Sequence, residues 1–280
     1  MSNPLCLSPL KFYDSVEKQE RFKVYAFGHI SPVITPSNVI PPFQVVIPGI
    51  SALNEAKLVA LDNNAVIDVT DNIQSSMFIQ DNVLQYIGNF SINPVKFEGL
   101  YYLELTVDTI KYYSEVICFT NNLDGYIKLE YWNPESDFIL KNGKITFANN
   151  FHFIVYLKTE LGKPEYSFEE EAQNRFGYNF IESQVSKKTY KFNAVLPEYY
   201  CDALRLVRLC SHKIITCNNE DYEALTFEMS VDWQEQGDLA SVDFEFDIDN
   251  IIVNLGGFEY ASPTEDFNKD YNADFLSDSL

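Results

Sequence analysis

Between Ser241 and Asp249 apolar and acidic side chains alternate with almost no error. Val242, Phe244, Phe246 and Ile248 share one parity; Asp243, Glu245, Asp247 and Asp249 share the other. Side chains on a strand repeat every second residue, so this spacing predicts one core-facing apolar face and one wall of four carboxylates. The same reading applied from Phe43 to about Thr120 predicts strands at 43–47, 56–61, 66–69, 77–80, 83–86, 101–107 and 114–119. Gly, Asn, Asp and Pro turns separate them. Seven short strands at this spacing predict an immunoglobulin-like sandwich over 43–122, without the Cys–Trp–Cys core of antibody domains. Phe97 to Val116 is expected to contain a hairpin.

The turn-rich Asn121–Gly125 predicts a boundary, followed by a second β-rich domain over 123–258. Its strands are expected at 126–131, 144–147, 152–157, 189–195, 214–217, 226–231 and 241–248. One helix is predicted over 197–210, because Pro197 suits a first helical position and Tyr200, Ala203, Leu204 and Val207 form a single apolar stripe. Arg205 and Arg208 would sit on its polar side near the C-terminus. The polar stretch 159–182, with Glu169, Glu170 and Glu171, is expected to be an irregular loop. The fold class is therefore mainly β: an immunoglobulin-like sandwich and a second β-rich domain with one helix.

Residues 1–42 carry six prolines and a short strand-like run at 22–27. Proline removes a donor and fixes φ, so this region is expected to be an extended arm or a strand-bearing lead-in packed on the first domain. Residues 259–280 read as an acidic tail whose Phe267, Tyr271 and Phe275 are candidate partner contacts. The acidic face Asp243, Glu245, Asp247 and Asp249 is a candidate contact of the same kind.

Charge narrows the function. The 280 residues hold 41 Asp and Glu against 20 Lys and Arg, a net charge of −21. Phosphate recognition needs clustered cations, so direct nucleic-acid binding is not expected, and Lys187-Lys-Thr-Tyr-Lys is read as pairing with acids. The five cysteines (Cys6, Cys118, Cys201, Cys210 and Cys217) have no paired short spacing, which points to reduced thiols. Residues 1–10 lack a basic segment followed by a long apolar run, so no secretory signal is read there. No apolar stretch approaches a membrane span.

The three histidines, His29, His152 and His212, occur singly, and no nucleophile motif accompanies them. No Cys or His pair has zinc-ligand spacing, and Asp62-Asn-Asn lacks the glycine-permitted loop that calcium usually takes. No catalytic, cofactor or metal residue is assigned, and the chain is read as no enzyme. Tyr131, Trp132, Tyr166, Tyr199 and Trp233 are candidates for a sugar-stacking platform, with burial in the β core as the plainer alternative.

Taken in order, several segments resemble a known family. They are Pro9-Leu-Lys-Phe-Tyr-Asp, Gln19-Glu-Arg-Phe-Lys, Tyr112-Tyr-Ser-Glu-Val, Ile127-Lys-Leu-Glu-Tyr-Trp-Asn and Lys158-Thr-Glu-Leu-Gly-Lys-Pro-Glu-Tyr. Ser186-Lys-Lys-Thr-Tyr-Lys-Phe, Leu196-Pro-Glu-Tyr-Tyr-Cys-Asp-Ala-Leu and Trp233-Gln-Glu-Gln-Gly-Asp-Leu-Ala-Ser-Val complete the series. Over roughly residues 9–255 this resembles virion tail and neck proteins of phages and prophages of gut Bacteroidetes, crAss-like phages included. The resemblance implies a non-enzymatic part of the tail, tail hub or neck ring. It would be made in the host cytoplasm and be present in several copies, contacting itself and neighbouring virion proteins. The arm and the acidic tail would clasp neighbours. The alternative is a carbohydrate-binding adhesin or lectin module.

Overall fold

The computed structural model describes residues 5–6, 8–15, 31–48, 53–80, 83–89, 97–133, 152–175, 178–233 and 239–254. The chain is mainly β. In order, the strands are β1 (Leu5–Cys6), β2 (Phe12–Tyr13), β3 (Val33–Pro36), β4 (Phe43–Pro48), β5 (Leu53–Ala60) and β6 (Val66–Asp68). After them come β7 (Gln74–Gln80), β8 (Val83–Asn89), β9 (Gly99–Val107), β10 (Ile110–Thr120), β11 (Tyr126–Trp132) and β12 (Phe153–Lys158). The last are β13 (Glu165–Arg175), β14 (Tyr178–Pro197), β15 (His212–Cys217), β16 (Glu220–Glu223), β17 (Glu228–Trp233) and β18 (Leu239–Asn254).

Among the described residues they form four sheets, in the orders β1-β4-β8-β7, β2-β10-β9-β5-β6 with β3 beside β10, β12-β11-β15-β16, and β13-β14-β18-β17. The β3–β10 pair is parallel, while the other registered pairs are antiparallel. The strands of 43–122 are thus divided between two sheets, and β9 and β10 make the expected hairpin.

Two compact units account for the chain. The first comprises 1–164 and 189–248; the second comprises 165–188 and 249–280. The expected boundary at Asn121–Gly125 is a turn inside the first unit, where Gly125 has φ +74°, a left-handed conformation that glycine adopts without a side-chain clash. The physical reason is a single continuous core. Phe12, Val33, Leu58, Leu103, Ile117, Leu129, Phe153, Val207, Phe244 and Phe246 all belong to one buried cluster.

The described parts of 1–42 are built into that unit rather than extended from it. Phe12 pairs with Ser114, Val33 pairs with Ile117, and the Tyr200 hydroxyl donates to the Pro32 carbonyl at 3.3 Å. Of the two alternatives for this region, they form the lead-in. The strand expected at 22–27 and that at 144–147 lie outside the described residues.

Two local expectations need correction. The helix α1 covers Glu198–Leu204, shorter than 197–210; the chain then turns into a 3-10 segment at Val207–Leu209. The apolar stripe still serves its purpose, since Tyr200, Ala203, Leu204 and Val207 are all buried. Tighter winding keeps Val207 inward while Arg208 stays out. The polar stretch 159–182 is not an irregular loop, because Glu165–Arg175 is strand β13. Neither face of β13 needs to be apolar, since its polar side chains are satisfied across the hairpin. Lys187 pairs with Glu169 at 2.6 Å, Gln184 donates to Glu170 at 2.8 Å, and Ser183 donates to Glu171 at 3.2 Å.

Candidate functional site

Strand β11 alternates as its sequence demands. Ile127, Leu129 and Tyr131 are fully buried, while Tyr126, Lys128, Glu130 and Trp132 form a half-covered outer face. Register builds a site on that face. Trp132 lies opposite His212 of β15, and His152 directly precedes β12, whose Phe153 pairs with Tyr131. The two imidazoles consequently sandwich the indole. The His152 ring is 4.2 Å from Trp132 at 8°, and the His212 ring is 5.0 Å away at 12°. Such stacks are favourable beyond the area they bury.

Below this triad, Glu130 accepts from His152 Nδ1 at 2.6 Å and from Lys128 Nζ at 2.5 Å. Burial alone would raise the Glu130 pKa; the bonds and charges of Lys128 and His152 outweigh it and hold the carboxyl below its ordinary range. Burial, with the Glu130 charge second, pushes the neighbouring Tyr156 hydroxyl up. Lys128, Ile154 and Tyr156 also form one wall of a groove of about 310 Å³, whose other wall is Ile34, Thr35, Val39, Pro41 and Pro42.

On the buried side of the same sheet, Tyr131 stacks on Phe153 at 5.2 Å, and its hydroxyl has no hydrogen-bond partner among the described residues. Burial pushes the Cys210 thiol up to about 11 and holds Lys213 below its ordinary range. Cys118, Cys201, Cys210 and Cys217 form no disulfide.

The acidic face of β18 also forms. Val242, Phe244 and Phe246 are buried, and Asp243 and Glu245 are exposed. Strand β17 enlarges it, placing Glu228 opposite Glu245, Ser230 opposite Asp243 and Asp232 opposite Ser241. Like charges directly across a ladder repel, and cations at the margin offset this only in part. Lys191 lies 3.7 Å from Glu245, and Arg208 lies 4.0 Å from Glu228. Asp247 is held differently, accepting from the Thr189 hydroxyl at 2.6 Å. Asp249 belongs to the second unit and is exposed. Phe267, Tyr271 and Phe275 lie outside the described residues, as does His29.

The five aromatic candidates for a sugar platform are not gathered on one face. Tyr131 and Tyr199 are buried, and both faces of Trp132 are taken by histidines. Trp233 is exposed in the first unit and Tyr166 in the second. Among the described residues, no three His, Cys, Asp or Glu side chains converge as a metal site requires. No described helix is long and apolar enough to cross a membrane.

The His152–Trp132–His212 triad was not foreseen. Its members are 20 and 80 residues from the tryptophan, and strand order alone brings them together. The signal in the sequence is Trp132 immediately after the strand predicted at 126–131, with His152 beginning that at 152–157 and His212 two residues before that at 214–217. Comparison with known protein families finds no matching family, and comparison with curated proteins finds no similar sequence.

Proposed function

We infer that the chain is a non-enzymatic structural component of a phage virion, in the tail, tail hub or neck ring, working in several copies. The observation that carries this reading is the second unit. None of its described side chains is buried, although its described part is strand and includes Tyr166, Phe168, Ile181, Ile251, Ile252 and Val253. Sheets gain stability by covering an apolar face, and a surface of this kind calls for a neighbour.

Two further features support it. The enlarged acidic face around Asp243 and Glu245 suits a surface past which DNA slides without adhering. The resemblance over residues 9–255 points to tail and neck proteins. The stacking candidates lend little to the glycan-binding alternative, since they are buried, sandwiched or dispersed.

The test is gold-labelled antibody against the chain on purified particles, viewed by electron microscopy. Label confined to tail or neck is the expected result, and its position separates ring from hub. Label on cells with bare particles overturns the virion reading and moves glycan binding to first place.

A further inference from the structure

The described part of the second unit is a three-stranded sheet: β13, the first half of β14 and the end of β18. Among the described residues it has two open edges. Strand β13 is outermost on one side. On the other, the pairing of β17 with β18 ends at Glu228–Glu245, so 249–254 has no registered neighbour there. Open edges expose rows of backbone donors and acceptors that template another strand.

Exposed apolar side chains stand on both of these edge strands. On β13, Tyr166 and Phe168 share one face and are 63% and 76% exposed; on β18, Ile251 and Ile252 are 61% and 60% exposed. Charge, in contrast, is unequal. Glu165, Glu169, Glu170 and Glu171 stand on β13, while 250–254 reads Asn-Ile-Ile-Val-Asn without a charge. Pairing β13 with another β13 would bring carboxylates together. Pairing two β18 edges would leave Tyr166 and Phe168 in water. Pairing unlike edges avoids both penalties and sets aromatic against β-branched side chains, a favoured cross-strand combination.

We propose that copies of this chain join head to tail by strand addition, the 250–254 edge of one β18 pairing with β13 of the next copy. This rests on the multi-copy reading above and deepens it. A heterologous contact of this kind closes into a ring when its rotation permits, and closure leaves no edge exposed. The sheets of successive copies then become one continuous sheet around the axis.

The test uses the full chain. Wild type is expected to sediment as an assembly larger than a dimer, whereas Phe168→Glu and Ile252→Lys each sediment as monomer. Both substitutions are at exposed positions, so the near-UV spectrum of the first unit is expected to stay unchanged. With Cys6, Cys118 and Cys217 replaced by Ser, chains carrying Ser167→Cys with Ile252→Cys should give a ladder of covalent oligomers with a short thiol-specific cross-linker, and either single substitution none. Cross-linked dimers from a single substitution overturn unlike-edge pairing in favour of like-edge pairing. A monomeric wild type overturns strand addition, as does assembly that survives both charge variants. The virion reading stands or falls separately, on the antibody label.

Discussion

Tyr131→Phe should make this protein more stable. The ring is 0% exposed and stacked on Phe153, and among the described residues its hydroxyl has no hydrogen-bond partner. A buried polar group without a partner costs about 1–3 kcal/mol, because the unfolded chain returns it to water. Removing one oxygen leaves the ring stack in place, so a gain of about 1–2 kcal/mol is expected after slight repacking. For a unit of this size that raises the thermal midpoint by about 2–4 °C per kcal/mol.

Tyr200→Phe is the matched control with the opposite sign. That ring is also buried, but its hydroxyl donates to Pro32 at 3.3 Å. Losing the bond should cost about 0.5–1.5 kcal/mol. Alkaline pH gives a second readout, since burial raises the Tyr131 pKa above the ordinary 10.0. A raised folded-state pKa means stability that is full below pH 10 and lost as pH rises, while the unfolded chain ionises. Tyr131→Phe should therefore flatten that alkaline decline by about 1.4 kcal/mol per pH unit. Urea unfolding followed by near-UV circular dichroism measures both effects, with the m-value unchanged. A destabilised Tyr131→Phe protein with an unaltered alkaline slope would refute the reasoning.

Other expectations concern single contacts. A Cβ on Gly162 would lie 2.8 Å from the Lys191 carbonyl oxygen, so Gly162→Ala should lose about 1–3 kcal/mol in denaturant titration; an unchanged midpoint would show that this backbone gives way. Glu130 is held below 4.5 by Lys128 and His152, so its stabilisation is present above that pH and lost as pH falls through the lowered value. Glu130→Gln should flatten the acid limb of the stability curve, and an identical limb would count against the pair. His212→Ala uncovers one face of Trp132 and should cost about 0.5–1.5 kcal/mol while shifting tryptophan emission, with unaltered emission as the contrary result. Phe244→Ala empties a site 1% exposed and stacked on Phe192, and should cost about 3–5 kcal/mol by thermal unfolding.

How far the sequence could be read depended on the range of the interaction concerned. The alternation from Val242 to Phe246 is a local property, since parity on a strand decides the face, and burial follows it residue by residue. The buried helical stripe at Tyr200, Ala203, Leu204 and Val207 was legible for the same reason, although the change of winding after Leu204 was not. Strand β13 has no signature in the sequence because Glu169, Glu170 and Glu171 carry no apolar period. Their partners Lys187, Gln184 and Ser183 become visible only once the hairpin has closed.

The chain by itself determined that it would be a β-rich, strongly acidic protein with aromatic cores, because composition and period-two patterning act within a few residues. Tertiary structure decided what lies beside what. Strand order carried His152 and His212 to the two faces of Trp132, and one shared core joined residues 8–15 to the strands beyond Gly125. It also left Tyr166 and Phe168 exposed on a strand that is outermost among the described residues. Exposure is a property of neighbours brought together over long loops, and no local pattern carries that information.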